Sequence, residues 1–300
     1  RFVLKQRVKF IYFDVYVFRE SLVYSVFMFI SSLVNQVNSN LDNIVVGAYL
    51  GSAEVTVYSA ALTIFSMFSQ IGSAVSGVLL PKVTGLLRQK DNNIEDYVVK
   101  IGRIQFILIG ATLGAFAVLG KSFISVWMGG SLSHEFSDTY YIAIILMIPA
   151  VFEICINVCL AALRASNKLK YRTAVLVLML RFNAAVTILG VPRWGYFAAA
   201  AGTALSYILG HVISMNCYYR RVFKFHPVRA YCRIFSRTWI CILLSCAAAF
   251  SVTLVTDGGR QTFLFGAVVF IAVYAASLMV FLPHNEKSAV LKVFKKSNTA

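Results

Sequence analysis

The sequence predicts an all-α polytopic membrane protein, a six-helix lobe followed by two additional transmembrane helices, eight in total. Three observations carry this. Of the 300 residues 59% are hydrophobic and only 13% charged, with a mean hydropathy of +0.75, whereas a soluble domain carries roughly 25% charged residues. Apolar stretches of about 20 residues recur, each long enough at about 1.5 Å per residue to cross a hydrocarbon core of about 30 Å. No strand-like alternation punctuated by turns every ten or so residues is present, so helices rather than a barrel must satisfy the backbone inside lipid.

The spans fall at about 20–48, 54–88, 92–120, 139–163, 170–191, 195–219, 234–256 and 261–282. The first two exceed one bilayer thickness and are expected to tilt or project. Within the first lies NQVNSNLDN (Asn35 to Asn43), between the apolar runs SLVYSVFMFISSLV and IVVGAYLG. On a helix, Ser31, Asn35, Asn38 and Asp42 share one face, with Gln36, Asn40 and Asn43 on a second stripe beside it. Exposing so many amides and a carboxylate to hydrocarbon would cost several kcal/mol. The segment therefore faces other helices or a wetted cavity, unless the span ends near Val34 and NQVNSNLDN is an external loop. Against the loop, IVVGAYLG is too short to cross alone and no Pro or Gly interrupts the helical phase before Gly47.

After the third span, KSFISVWMGGSLSHEFSDTY (Lys121 to Tyr140) reads as an external connection starting with a short amphipathic piece that carries Phe123 and Trp127. The fourth and fifth spans carry Glu153 and Arg181, equidistant in residues from a turn near 167, and hence at matched depth. A lone charge at mid-membrane costs about 2.5–3.5 kcal/mol, which an opposite charge relieves. Two readings stay open: a pair that fixes helix register, or a cavity in which Arg181 holds an anionic head group with Glu153 orienting it. Asn157 shares the face of Glu153 at i+4. The sixth span presents Ala198, Gly202, Ser206 and Gly210 as a small-residue stripe suited to close packing. Its His211 reads as a packing residue.

A basic connection, YYRRVFKFHPVRAYCRIFSR (Tyr218 to Arg237), follows, interrupted by Pro227. It divides the chain into a six-helix lobe, 1–224, and a linker with an appended helix pair, 225–300. The six cysteines show no CxxC spacing and read as small packing residues. The chain starts at Arg1 without Met or a cleavable signal pattern, so a fragment is expected.

The formal charge of +16 is a matter of topology. With the N-terminus inside, 24 of the 28 Lys and Arg fall in cytoplasmic segments, leaving Lys121, Arg193 and Arg260 outside and Arg181 within a span. This alternation follows the positive-inside rule and puts both termini in the cytoplasm. Basic residues spread over separate loops share no face for nucleic acid, so no nucleic-acid partner is expected. The sequence has no GxSxG, Walker loop, HExxH or hydrolytic carboxylate pair. No enzyme activity, cofactor or metal is expected, and any transport must draw on a gradient or on the substrate.

LDNIVVGAYLGSAEVTVYSAA (41–61), SGVLLPKVTGLL (76–87), GRIQFILIG (102–110), ILMIPAVFEICINVCLAALRASNKLKYRT (145–173) and GYFAAAAGTALSYILGHVISMNCYYRR (195–221) resemble, in order, segments of the polysaccharide biosynthesis transporters. These are the lipid-linked oligosaccharide flippases of the multidrug/oligosaccharidyl-lipid/polysaccharide exporter superfamily. The resemblance implies a C-terminal lobe whose N-terminal lobe is missing. It implies passage of an undecaprenyl-diphosphate-linked oligosaccharide from the inner to the outer leaflet of the bacterial inner membrane, among membrane lipids, by alternating access. It also matches the stretch ending in Asp42 to a polar N-x-x-D segment and Asn183 to a frequent helix asparagine. Ala198 departs from the usual glycine, and Arg181 has no matching position. Outward movement of a diphosphate with about two negative charges gains about 2.3 kcal/mol per charge per 100 mV of inside-negative potential. The candidate cavity residues are Asn35, Asn38, Asp42, Glu153, Asn157, Arg181 and Asn183. A cation-coupled multidrug exporter of the same superfamily and a non-transporting scaffold for glycan assembly are the alternatives.

Overall fold

The computed structural model describes residues 14–88, 94–129, 136–166, 168–256 and 259–281. Side chains of Glu20, residues 74–88, Ile94 and Ala165 lie outside that description, as do the terminal basic segments and the side chains of the 76–87 motif. Among the described residues there is no strand, and eight helices are long and apolar enough to cross a membrane. The protein is an all-α polytopic membrane protein.

Helix α1 (Val15–Tyr49) starts where Asp14 Oδ1 accepts from the Tyr16 amide at 2.8 Å, an N-cap that satisfies one of the helix's free donors. It runs unbroken through NQVNSNLDN, which excludes the loop reading. Gly51, at φ +110, makes the tight turn into α2 (Ser52–Arg88), and α3 follows (Ile94–Met128). The expected separate piece at Phe123 and Trp127 is instead the last turns of α3; the two rings, four residues apart, stack at 5.9 Å.

The fourth span departs most from a simple helix. It comprises α4 (Ser137–Cys155) and α5 (Asn157–Ala165), separated at Ile156, whose backbone leaves helical geometry at φ −109, ψ 10. Pro149 inside α4 has no amide to donate. At the break, α3 approaches so closely that a Cβ on Gly102 would lie 2.5 Å from the Cys155 carbonyl oxygen. Helix α6 (Lys170–Trp194) reverses through Gly195, φ +63, into α7 (Tyr196–Tyr207). The helix then widens into a π segment, Ile208–Met215, before α8 (Asn216–Phe223). Lys224 ends α8 in the left-handed region at φ +55.

Proline at the first position starts α9 (Pro227–Phe235), a site where its missing amide costs nothing. Its Arg233 reaches Asp96 at 2.8 Å and Glu95 at 3.3 Å on the first turn of α3, while Arg103 donates to the Arg233 carbonyl oxygen at 2.5 Å. The hydrogen bond to Asp96 raises the guanidinium pKa further. Helices α10 (Thr238–Val255) and α11 (Arg260–Phe281) pack on each other and on α3. Within the lobe α1 lies along α6, and α4 is surrounded by α2, α3, α7 and the π segment.

Small residues set the contacts, as expected where lipid supplies no hydrophobic drive for helix association. The Ala198 methyl faces Gly190 of α6, where a Cβ would stand 2.7 Å away. Glycine on the facing helix therefore supplies the room that Ala198 gives up. Gly210 lets the π segment meet α6, since its own Cβ would lie 2.1 Å from Met179 Sδ.

Candidate functional site

The candidate residues divide into a buried knot, a small polar pocket and two exposed side chains. The knot forms where α1 meets α2, α6 and α7. Asp42, 2% exposed, takes hydrogen bonds on both carboxylate oxygens. Asn183 Nδ2 and Thr187 Oγ1 donate to Oδ1 at 3.1 and 3.3 Å, and Tyr58 OH and Thr203 Oγ1 donate to Oδ2 at 2.9 and 2.6 Å. Asn183 Nδ2 also reaches Asn38 Oδ1 at 3.2 Å. Asn183 Oδ1 lies 3.2 Å from the hydroxyls of both Thr187 and Thr203.

The donors to Asp42 are thus hydroxyls and an amide, with no basic side chain bonded to it among the described residues. Charged acceptors make the stronger hydrogen bonds, and four of them replace the hydration the carboxylate loses. About three turns back along α1, Ser31 Oγ and Thr173 Oγ1 meet at 2.9 Å and continue the α1–α6 seam. Gly202 admits the knot: a Cβ there would sit 2.9 Å from Asn183 Oδ1 and 3.2 Å from Thr187 Oγ1.

Asn35 does not join that seam. Ser31, Asn38 and Asp42 turn toward α6, whereas Asn35, four residues from Ser31 and so rotated about 40° from it, is exposed with Gln36, Ser39 and Asn40. Part of that polarity is turned back on the helix: Ser39 Oγ donates to the Asn35 carbonyl and Asn40 Nδ2 to the Gln36 carbonyl, both at 2.8 Å.

The expected Glu153–Arg181 pair is not formed. Arg181 is exposed on α6, and the Glu153 carboxylate is 3.5 Å from His211 Nδ1. Counting residues from a turn at 167 assumed two continuous helices, and the break at Ile156 removes that premise. The same contact corrects the reading of His211 as a packing residue only. Glu153 and Asn157 line a pocket with Arg172, His211, Asn216 and Tyr231, enclosed by α4, α5, α6, the π segment, α8 and α9. Tyr231 OH donates to the Phe152 carbonyl at 3.0 Å and accepts from Asn216 Nδ2 at 3.0 Å.

Sequence reasoning passed over Tyr58, Thr187, Thr203 and Arg172. Thr187, one turn from Asn183, and Thr203, beside Gly202 of the small stripe, carried a positional signal. Arg172 was counted with the loop charges. No group of three or more His, Cys, Asp or Glu that could hold a metal exists among the described residues.

The helix order, the break in the fourth span and the appended pair can be set against known folds. The fold is similar to "Lipid II flippase MurJ, inward closed conformation", with a TM-score of 0.67 over 93% of this chain, at 18% identity. This chain spans 57% of that flippase's length. Residues 2–134 match the family described as "Polysaccharide biosynthesis protein". No curated relative matches the sequence. The family match and the flippase fold together support the resemblance to polysaccharide biosynthesis transporters.

Proposed function

We propose that this chain is the C-terminal lobe and appended helix pair of a flippase that moves a lipid-diphosphate-linked oligosaccharide, of the undecaprenyl type, from the inner to the outer leaflet of the bacterial inner membrane. An N-terminal lobe completes the cavity. The observation that carries the reading is the uncovered polarity of the α1–α6 pair: Asn35, Gln36, Ser39 and Asn40 on α1 and Arg181 on α6 are all exposed. An arginine facing lipid at the middle of a span costs about 2.5–3.5 kcal/mol. Facing a water-filled vestibule it costs far less, and its guanidinium is the donor fork that matches phosphate oxygens.

In this reading Asn35 and Arg181 meet the cargo. Asn38, Asp42 and Asn183 hold the wall behind them, and Glu153 and Asn157 belong to the pocket between α4 and the π segment. The lobe is 1–224, and 225–300 links and carries the added pair.

The test is glycan export in cells depending on the full-length transporter. Arg181→Ala and Asn35→Ala are expected to lower export at unchanged protein level in the membrane, and Arg181→Lys to restore part of it. Unimpaired export in both alanine variants would overturn the cargo role. Loss of drug resistance instead would point to a multidrug exporter. Loss only on reversing loop charges would point to a scaffold.

A further inference from the structure

We infer that Glu153 and His211 form a proton-exchanging couple inside the lobe, reached through a single water held by Arg172. The inference stands apart from what the protein carries across the membrane.

Three features of the pocket lead there. His211 Nδ1 and Glu153 Oε1 are 3.5 Å apart, with side chains 10% and 28% exposed, so the contact is half withdrawn from solvent but not sealed. Arg172 is 7% exposed and lines the same pocket. Asn216, also on the lining, donates from Nδ2 to the Val212 carbonyl at 2.7 Å and to Tyr231, while its buried Oδ1 has no donor. A buried acceptor without a donor is costly, and such a group is commonly satisfied by an internal water, for which the Arg172 guanidinium on the same wall is a donor.

Size decides what fills the space. The pocket leaves about 10 Å³ for the centre of a water molecule, which is room for about one water. A phosphate group, with five heavy atoms, does not fit. A carboxylate on the wall disfavours an anion as well.

The π segment supplies the other part of the argument. Such widened turns are rare and are frequently found at functional sites. Here Ser214 Oγ donates to the Leu209 carbonyl at 2.7 Å, taking up one of the segment's displaced acceptors. His211 sits in its middle, with Glu153 on α4, Arg172 on α6, Tyr207 on α7, Asn157 on α5, Asn216 and Tyr219 on α8, and Tyr231 on α9 around it. Glu153 and Arg172 are the charged groups in this set, and they act on the ring's charge in opposite senses. Histidine is the side chain whose ordinary pKa puts its charge change between about pH 5 and 8.

The exchange is a proton transfer alone. A proton from bulk water enters at the open side of the pocket, passes through the enclosed water and resides on the imidazole, next to the Glu153 carboxylate. It leaves by the same route, and no bond between heavy atoms forms or breaks. With the proton on the ring, α4 and the π segment are joined by an ion pair; without it, by a weaker polar contact.

The experiment is a ¹⁵N NMR titration of the histidine side chains, over about pH 5 to 8, of the full chain in lipid nanodiscs. The sequence has four histidines, so the His211 signal is assigned by replacing His134, His226 and His284 with Gln and leaving His211 intact. A titrating His211 is expected, with proton affinity about tenfold lower in Glu153→Gln and about tenfold higher in Arg172→Gln. A His211 signal invariant across the range in the protein with Glu153 and Arg172 intact would overturn the inference. So would a midpoint that neither substitution moves. A purely structural role would change thermal stability and leave the midpoint where it was.

Discussion

Replacing Asp42 by alanine removes the acceptor on which four buried donors converge. Their alternatives can be read from the geometry. Asn183 Nδ2 retains Asn38 Oδ1, and the hydroxyls of Thr187 and Thr203 can both turn to Asn183 Oδ1 at 3.2 Å. Tyr58 OH is fully buried and loses the carboxylate it donates to, with the Thr203 hydroxyl as the neighbour left to it. An orphaned buried hydroxyl costs about 1–3 kcal/mol, and the void left by the carboxymethyl group adds to it. Against this, the variant no longer buries a charge, a gain that offsets part of the loss. The expected net destabilisation is about 2–3 kcal/mol.

Tyr58→Phe alone should cost about 1 kcal/mol, because Asp42 keeps three donors. In the double variant no hydroxyl is orphaned, so the two effects should fall short of additivity by about 1–2 kcal/mol. Reversible unfolding in mixed detergent micelles measures all four proteins. A stability for Asp42→Ala within about 0.5 kcal/mol of the parent, or strict additivity with Tyr58→Phe, would refute the knot and return Asp42 to an open, hydrated wall.

Gly202→Ala would push a methyl against Asn183 Oδ1 and Val186 Cγ1, at 2.9 and 3.1 Å, and should destabilise by about 1–3 kcal/mol in the same unfolding assay. Arg181→Ala, altering an exposed side chain with no bonded partner among the described residues, should leave stability within about 0.5 kcal/mol while lowering export. Arg233→Ala removes the two ion pairs between α9 and α3 and leaves the Arg103 hydrogen bond to the carbonyl of residue 233. With the arginine side chain 46% exposed, its global cost should be no more than about 1 kcal/mol, but amide exchange along Pro227–Phe235 should rise. Unchanged protection there would show that Ile234 and Ala230, both fully buried, hold the helix by themselves.

The number and approximate limits of the spans were legible in the sequence because length and apolarity are properties of one segment at a time. A helix that must bury its backbone polarity in lipid needs its own run of apolar residues, and no neighbour can supply it. The polar stretch in α1 was legible for the same reason, being conspicuous against its surroundings. Which polar residue meets which was decided only in three dimensions. Depth and facing depend on unbroken helical phase, and this chain interrupts that phase twice, at Ile156 and through the π segment Ile208–Met215. The first has no proline or glycine at the step itself, and the Gly210 inside the second belongs equally to the small-residue stripe, so neither announces itself in advance. The first ended the expected pairing of Glu153 with Arg181, and the second carries His211, the residue that takes Arg181's place. Asp42 shows the same division: its presence at membrane depth follows from the order of residues, but its enclosure by Tyr58, Asn183, Thr187 and Thr203 follows from three other helices closing around it.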